Sequence, residues 1–395
     1  MKVLIAIPSV AAIYGGPSKC VIELATELGR LGINVDLITT NADGNSSLDV
    51  PLNKWISQSS YRMRYFSYYK RSAYLFSYAL TRWILQNVRS YDIVHTNAVF
   101  SYPVLATCYA CKMNDVPYVV TPHGMLEPWA LSQKATKKRI YYQISEKTLL
   151  KKAAAIHALA RPEAANIKSL QLGAPIFLGP NGIHRPEFET LPNRAIFFEE
   201  YPQLKGKKLV LFLSRIDPKK GLDILAKAFG ILVKQYNNLH LIVAGPDNIG
   251  FLQTARQFFQ DHECLDKVTF TGILTGKLKY AALAAASVYV LPSYSEGFSV
   301  SVLEAMASGL PSVITRACNF PEAERAQVVK AVDTNTEQLT DALNWCVKNE
   351  AEATFMGKRA QKFVFEYYTW DKIASHQIGV YETILKKEEL SPFSL

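Results

Sequence analysis

Short, uninterrupted apolar runs alternate with helix-length segments along almost the whole chain. The spacing predicts buried strands at 3–7, 35–39, 93–95, 118–121, 154–158 and 175–178. A second set follows at 208–214, 240–244, 268–271, 288–291 and 311–314. Each is a continuous Val/Ile/Leu/Ala run, the pattern of a parallel strand covered on both faces. Segments such as 18–31, 222–235 and 278–286 between them have helix length, and strand–helix alternation at this pitch means parallel α/β sheets. Two sets predict two doubly wound domains, which suits a length of 395 residues. The joint falls at the turn cluster Gly179-Pro180-Asn181-Gly182, after which 184–206 look irregular. The expected division is 1–183, 184–369 and a closing helix in 370–395. Ligands of doubly wound sheets lie beyond the carboxyl ends of the strands, so two facing domains predict a site in the cleft between them.

Charge separates the two halves. Residues 1–180 carry 20 Lys/Arg against 10 Asp/Glu, whereas 181–395 carry 24 of each. The net charge of +10 thus belongs to the first half, which predicts an anionic partner there. With 49% hydrophobic and 20% charged residues the chain is not a disordered one. Six cysteines are too few for a disulfide scaffold. Cys108 and Cys111 have no second pair at zinc spacing and read as core thiols of a reduced, cytosolic protein. The apolar run after Lys2 stops at Pro8, too short for a secretory leader, and reads as a first strand. The longest apolar candidate, 73–88, contains Arg82, so no transmembrane helix is expected.

The strongest chemical signal is Leu291-Pro-Ser-Tyr-Ser-Glu-Gly-Phe-Ser-Val-Ser-Val-Leu-Glu304. A strand ends at Leu291, a Ser/Pro/Gly loop follows, and a helix starts near Ser299. Free N–H groups at that start suit a diphosphate. Glu296 in the loop and Glu304 inside the helix can meet different parts of one ligand, and carboxylates accept from vicinal hydroxyls. The plainer alternative is a capping carboxylate plus a solvated helix glutamate. A second signal is Leu213-Ser-Arg-Ile-Asp-Pro-Lys-Lys-Gly-Leu-Asp223, which sets Arg215, Lys219 and Lys220 at another strand end. Fixed cations there suit a nucleotide diphosphate, bound or leaving; otherwise they form a surface turn. Gly245 and Gly272 after strands are weak signals. Gly15 and Gly16 join the first strand to the first helix and allow close backbone approach to a ligand, with Pro17 in the helix's first turn. Neither a dinucleotide fingerprint nor a P-loop is present. His123, in Thr121-Pro-His-Gly-Met-Leu-Glu-Pro-Trp129, follows a strand and points to the cleft, although a lone histidine is more often structural.

Together these residues resemble the retaining glycosyltransferases of family 4, which have the GT-B fold of two Rossmann-like domains. The resemblance covers nearly the whole chain and rests on Glu296 with Glu304, Arg215 with Lys220, Gly15-Gly16, and Tyr368-Thr-Trp-Asp371. The segment around His123 looks like that of bacterial enzymes building surface polysaccharides. The resemblance implies a nucleoside-diphosphate sugar as donor, with Arg215 and Lys220 on its diphosphate. It implies Glu296 on hydroxyls of the transferred sugar, Glu304 on the ribose, and the amides of Gly297, Phe298 and Ser299 near phosphates and sugar. It also implies His123 near the reacting sugar and the base near Ile273 and Leu274. His123 and Glu296 are the expected catalytic residues. The family needs no metal or other cofactor, and the chain contains no Asp-x-Asp. The closing helix would cross back onto the first domain, with Trp370, Ile373, Ile378, Tyr381 and Ile384 suited to packing there.

Residues 50–91 contain no Asp or Glu, seven Lys/Arg (Lys54, Arg62, Arg64, Lys70, Arg71, Arg82, Arg89) and eleven aromatics. Residues 128–145 add Lys134, Lys137, Lys138 and Arg139 without an acid. One reading is a buried helix with a solvated basic flank. The other is a surface for an anionic membrane and a glycan or lipid-linked acceptor, on the inner face of the plasma membrane. Nucleic acid is not expected, since no reader motif is present. Alternatives to a transferase are a nucleotide-sugar 2-epimerase of the same fold and a non-catalytic nucleotide-sugar-binding protein.

Overall fold

The structure is a computed structural model that describes residues 1–70, 74–132 and 141–390. The chain forms two compact units. One is Met1–Gly182 with the chain from Trp370 onward; the other is Ile183–Thr369.

The first unit is built on β1 (Lys2–Ser9), β2 (Asn34–Thr40), β3 (Ala42–Asp43), β4 (Ser46–Ser47), β5 (Trp55–Ser57), β6 (Arg62–Phe66), β7 (Ile93–Asn97), β8 (Tyr118–Thr121), β9 (Ala155–Ala158) and β10 (Ile176–Leu178). Eight of these make one sheet in the order β10-β9-β8-β7-β1-β2-β6-β5, and β3–β4 is a separate hairpin. Only β5 runs antiparallel within the large sheet. The central strand β1 is buried from Val3 to Ile7, and pairs in register with β2 through Val3–Val35 and Ile5–Leu37. Its helices start where the sequence supplies caps. Pro17 lies in the first turn of Gly16–Arg30, and the Ser77 hydroxyl accepts from Leu80 N–H to cap Tyr78–Asn87. Leu80 and Ile84 join Val104, Cys108 and Cys111 from Tyr102–Met113 in the core. All six cysteines are free and buried. Burial pushes the Cys108 thiol up to about 12, which makes it inert.

Strands β5 and β6 were not expected. Arg62 and Arg64 alternate along β6 with Met63 and Tyr65, which breaks the apolar run by which a buried strand is recognised. Both cations are engaged at this sheet edge. Arg62 grips Asp36 bidentately at 2.8 and 2.7 Å. The Arg64 guanidinium lies 5.6, 5.4 and 5.3 Å from the rings of Trp55, Phe66 and Trp83. Arg64 is therefore not the open membrane-facing cation that the acid-free stretch predicts, whereas Arg62 keeps an exposed side chain beside its partner. Arg71, Lys134, Lys137, Lys138 and Arg139 lie outside the described residues.

The second unit has β11 (Lys208–Leu213), β12 (Leu239–Ala244), β13 (Val268–Gly272), β14 (Val288–Leu291), β15 (Ser312–Thr315) and β16 (Lys330–Val332). They form a parallel sheet in the order β13-β12-β11-β14-β15-β16. The edge strand β16 is only three residues long and was passed over. The helix Trp370–Lys386 belongs to the first unit, where it packs on Gly16–Arg30. Trp370, Ile373 and Tyr381 are buried there, whereas Ile378 and Ile384 are only partly so.

Candidate active site

In the second unit, the chain leaves β11 through 214–217 into a short turn, Pro218–Lys220. The Asp217 carboxylate caps it by accepting Lys219 N–H at 2.9 Å. Gly221 then takes φ 70°, and a Cβ there would lie 2.0 Å from the Pro292 carbonyl oxygen. Glycine is thus what lets this turn press against the loop after β14. The approach brings Lys220 to Glu296: Nζ donates to Oε1 at 2.6 Å, and both side chains are buried. The Ser293 hydroxyl donates to the same oxygen at 2.6 Å. Behind them, Glu296 N–H meets the Ala317 carbonyl at 2.9 Å, and Asn319 Nδ2 donates to the Glu296 carbonyl at 2.6 Å. Burial by itself would raise the Glu296 carboxyl. The charges of Lys220 and Lys219, with hydrogen bonds from Lys220 and Ser293, outweigh it and hold the group below its ordinary value. Burial lowers Lys219, opposed by Glu296 and reinforced by the Lys220 and Arg215 charges.

Glu304 lies within the helix Val300–Ala307, which starts after Ser299. It too holds a lysine: Lys279 Nζ donates to its Oε1 at 2.9 Å, with both groups largely buried. Lys279 comes from the helix Gly276–Ala285, just beyond Ile273 and Leu274. Ile273 is exposed and Leu274 buried. Phe298 packs between Phe320 and Tyr368, with ring centroids at 4.9 and 5.9 Å. Its side chain is a wedge in an aromatic cluster, so only its backbone can serve a ligand. The structure thus joins Lys220 to Glu296 directly, and brings the Arg215 charge close enough to lower Lys219 further. Lys279 was missed, because nothing in its spacing separates it from a solvated helix lysine.

In the first unit, Gly15 takes φ 77° and precedes the helix Gly16–Arg30. His123 follows β8 in the left-handed region, φ 51°, with Gly124 at 73°. Its Nε2 lies 2.9 Å from the amide oxygen of Asn97, at the end of β7. That oxygen accepts, so Nε2 carries the proton and Nδ1 is a bare acceptor. Burial, with the His157 charge next, pushes this imidazole down to about 3, so it is neutral at pH 7. His123 lines a small cavity with Asn97, His157, Asn181, Trp370 and Gln377.

Beneath it runs a buried relay with one possible direction. The Gly179 carbonyl can only accept, so His157 Nε2 donates to it at 2.6 Å. Burial lowers His157 to about 4, so its Nδ1 is unprotonated and accepts from the Thr121 hydroxyl at 2.9 Å. The Thr121 oxygen then accepts from His95 Nε2 at 2.6 Å. His95 is lowered still further by burial, so its Nδ1 accepts from the Tyr381 hydroxyl at 2.5 Å. Glu163 adds a clamp: Oε1 accepts Gly124 N–H at 2.6 Å and Oε2 accepts Leu159 N–H at 2.7 Å. Asn97, His95, His157 and Glu163 were all missed. The visible signal was histidine inside a run otherwise buried and apolar at 154–158.

Residues 14–185 match the profile of Glycosyltransferase Family 4, and residues 193–363 that of Glycosyl transferases group 1. Between them the two profiles take in most of the chain. A phosphatidyl-myo-inositol mannosyltransferase of Mycobacterium leprae is 25% identical over 77% of this chain and 76% of its own. The N-acetyl-alpha-D-glucosaminyl L-malate synthase of Bacillus anthracis is 23% identical over 95% of this chain and 96% of its own. Anabaena HepE, solved in complex with UDP and glucose, superposes with a TM-score of 0.76 at 19% identity, covering 97% of this chain and all of its own. The chain belongs to the group 1 glycosyltransferases, with the GT-B fold of two Rossmann-like domains.

Proposed function

We propose that the protein is a retaining, metal-independent transferase that moves a sugar from a nucleoside-diphosphate sugar to a hydroxyl of a lipid-linked or membrane-proximal glycan, as polysaccharide biosynthesis requires. The observation that carries the reading is the buried Lys220–Glu296 pair, which joins the turn Pro218–Lys220, preceded in the chain by Arg215, to the loop ahead of the helix Val300–Ala307. A donor diphosphate takes the charge of Lys220 and frees Glu296 to accept hydroxyls of the transferred sugar. Arg215 and Lys219 add cations, and the amides of Gly297, Phe298 and Ser299 add donors. Glu304, held by Lys279, accepts from the ribose diol, and the backbone at Ile273 and Leu274 meets the base. As the glycosidic bond breaks, negative charge builds on the leaving diphosphate, where these fixed cations stabilise it in place of a metal. His123 meets the reacting sugar, and Gly15 and Gly16 let backbone approach it closely. The HepE complex with UDP supports a nucleoside diphosphate in such a fold.

A membrane-proximal acceptor on the cytoplasmic face is supported by a surface of the first unit. Tyr78, Arg82 and Leu85 from Tyr78–Asn87, followed by Arg89, are exposed at helical spacing. Tyr109, Lys112 and Met113 are exposed on the neighbouring helix Tyr102–Met113. Exposed aromatics beside cations suit an anionic bilayer. Among the described residues no helix is long and apolar enough to cross one.

The test is a thermal-shift panel of uridine, guanosine and adenosine diphosphate sugars, then release of the nucleoside diphosphate with and without EDTA. NMR of the anomeric centre of the product follows. Stabilisation by one nucleotide class, EDTA-insensitive release and retained configuration are expected. Loss of release in EDTA with recovery in Mg²⁺, or an inverted product, would overturn the mechanism.

A further inference from the structure

We infer that Glu163 is a positioning residue for His123, fixing the left-handed turn that aims the imidazole. The inference rests on the reading of His123 as a residue that meets the sugar. Glu163 lies in the first turn of the helix Arg161–Ser169, and its side chain is almost wholly buried. A carboxylate there is a good cap for its own helix, and the bond to Leu159 N–H fits that role. The bond to Gly124 N–H does not. Gly124 belongs to the loop after β8, 39 residues earlier in the chain. The carboxylate therefore ties the loop after β8 to the loop after β9, at the peptide that immediately follows His123.

The turn is fixed at three successive points. Thr121 is held from both sides by His95 and His157. The His123 imidazole is held by Asn97. The peptide after it is held by Glu163. A residue at φ 51° carries its side chain round with its own peptides, so freeing the Gly124 N–H lets the imidazole rotate away from Asn97. Asn97 fixes which nitrogen carries the proton. Glu163 fixes where that ring sits. Positional error of about 1 Å in such a group costs about a hundredfold in rate.

The experiment uses the full chain labelled with ¹⁵N-histidine, and compares the parent with Glu163→Gln. The replacement keeps shape but presents an NH₂ to one of the two N–H groups. The imidazole signals of His123, assigned by their loss in His123→Ala, are expected to move from a fixed Nε2–H form towards a tautomer average. Turnover is read as nucleoside diphosphate release from whichever of UDP-glucose, UDP-N-acetylglucosamine and GDP-mannose the protein cleaves. It should fall about tenfold or more, while KM for that donor changes less than about twofold. In the His123→Ala background, Glu163→Gln should cost no further turnover. Unmoved His123 signals in Glu163→Gln overturn the inference. Moved signals with parental turnover leave the positioning intact and overturn the role of His123 in the reaction. If Glu163→Gln does not fold, Glu163→Asp gives the same readout, since its shorter carboxylate retracts from Gly124.

Discussion

The two units hold their key side chains by opposite electrostatics. Around Glu296 and Glu304 the partners are lysine ammoniums, at 2.6 and 2.9 Å. Around the His123 imidazole they are neutral, an amide oxygen and below it two uncharged imidazoles, a hydroxyl and a phenol, while the Glu163 carboxylate meets backbone N–H groups instead. A buried ion pair is weak ground for stability, because desolvation offsets most of its attraction. It suits a site where an incoming anion exchanges for the carboxylate as partner. A neutral network gains nothing from an anion, but fixes direction, since each donor has one acceptor. On the proposed function, the second unit receives charge and the first aims a ring.

Breaking one pair gives the largest contrast. Lys220→Ala leaves Glu296 buried without its ammonium, which should cost about 3–5 kcal/mol of stability. Nucleoside diphosphate affinity should fall by about a hundredfold or more. Lys220→Met with Glu296→Leu should recover most of the stability and none of the affinity. His123→Ala, which strands no charge, should cost no more than about 1–2 kcal/mol. Urea unfolding and calorimetry with UDP and GDP check all of these. Equal stability losses in Lys220→Ala and His123→Ala would erase the distinction.

The next contrast lies within the first unit, between its exposed cations and Arg64. Replacing Arg82, Arg89 and Lys112 together by Gln should lower affinity for anionic vesicles by about a hundredfold, at about 1 kcal/mol per charge near the surface. Sedimentation at low and high salt reads it, because the attraction is screened beyond about 8 Å at physiological salt. Arg64→Gln should leave vesicle binding alone and instead destabilise the fold by about 1–2 kcal/mol, through loss of its three rings. Equal binding of parent and triple variant would return the exposed face to solvent.

Most of the strands were legible because buried parallel strands announce themselves as apolar runs. β6 was not, since a strand next to the sheet edge can place Arg62 and Arg64 on one face and still be stable, given Asp36 for one and the rings of Trp55 and Trp83 for the other. The loop residues of the second unit could be named because helix starts and strand ends leave marks in glycine, proline and serine. Their partners could not. Lys279 reaches Glu304 across 25 residues, and Glu163 reaches Gly124 across 39. Such pairings are set by how crossovers stack, and sequence spacing carries no trace of them.

The last contrast is a pH slope, and it sets two groups of the first unit against each other. Burial raises the Glu146 carboxyl to about 7 from its ordinary 4.5, against a lowering hydrogen bond from Phe100 N–H. Burial lowers His157 to about 4 from 6.5. Between about pH 4.5 and 7 the folded chain holds a proton on Glu146 that the unfolded chain has released, so this group makes stability fall as pH rises. Between about pH 4 and 6.5 the unfolded chain holds a proton on His157 that the folded chain does not, so that group makes stability rise with pH. Each slope is on the order of 1 kcal/mol per pH unit at its steepest, and where the windows overlap the two oppose. Glu146→Gln removes one of them while its carbonyl still accepts from Phe100 N–H. The difference in Tm between Glu146→Gln and the parent should therefore be small at pH 5 and grow in favour of the variant up to pH 8. A difference that stays constant over that range would mean that Glu146 is ionised at ordinary values and solvated, and that the neutral surroundings described for His123 do not extend to it.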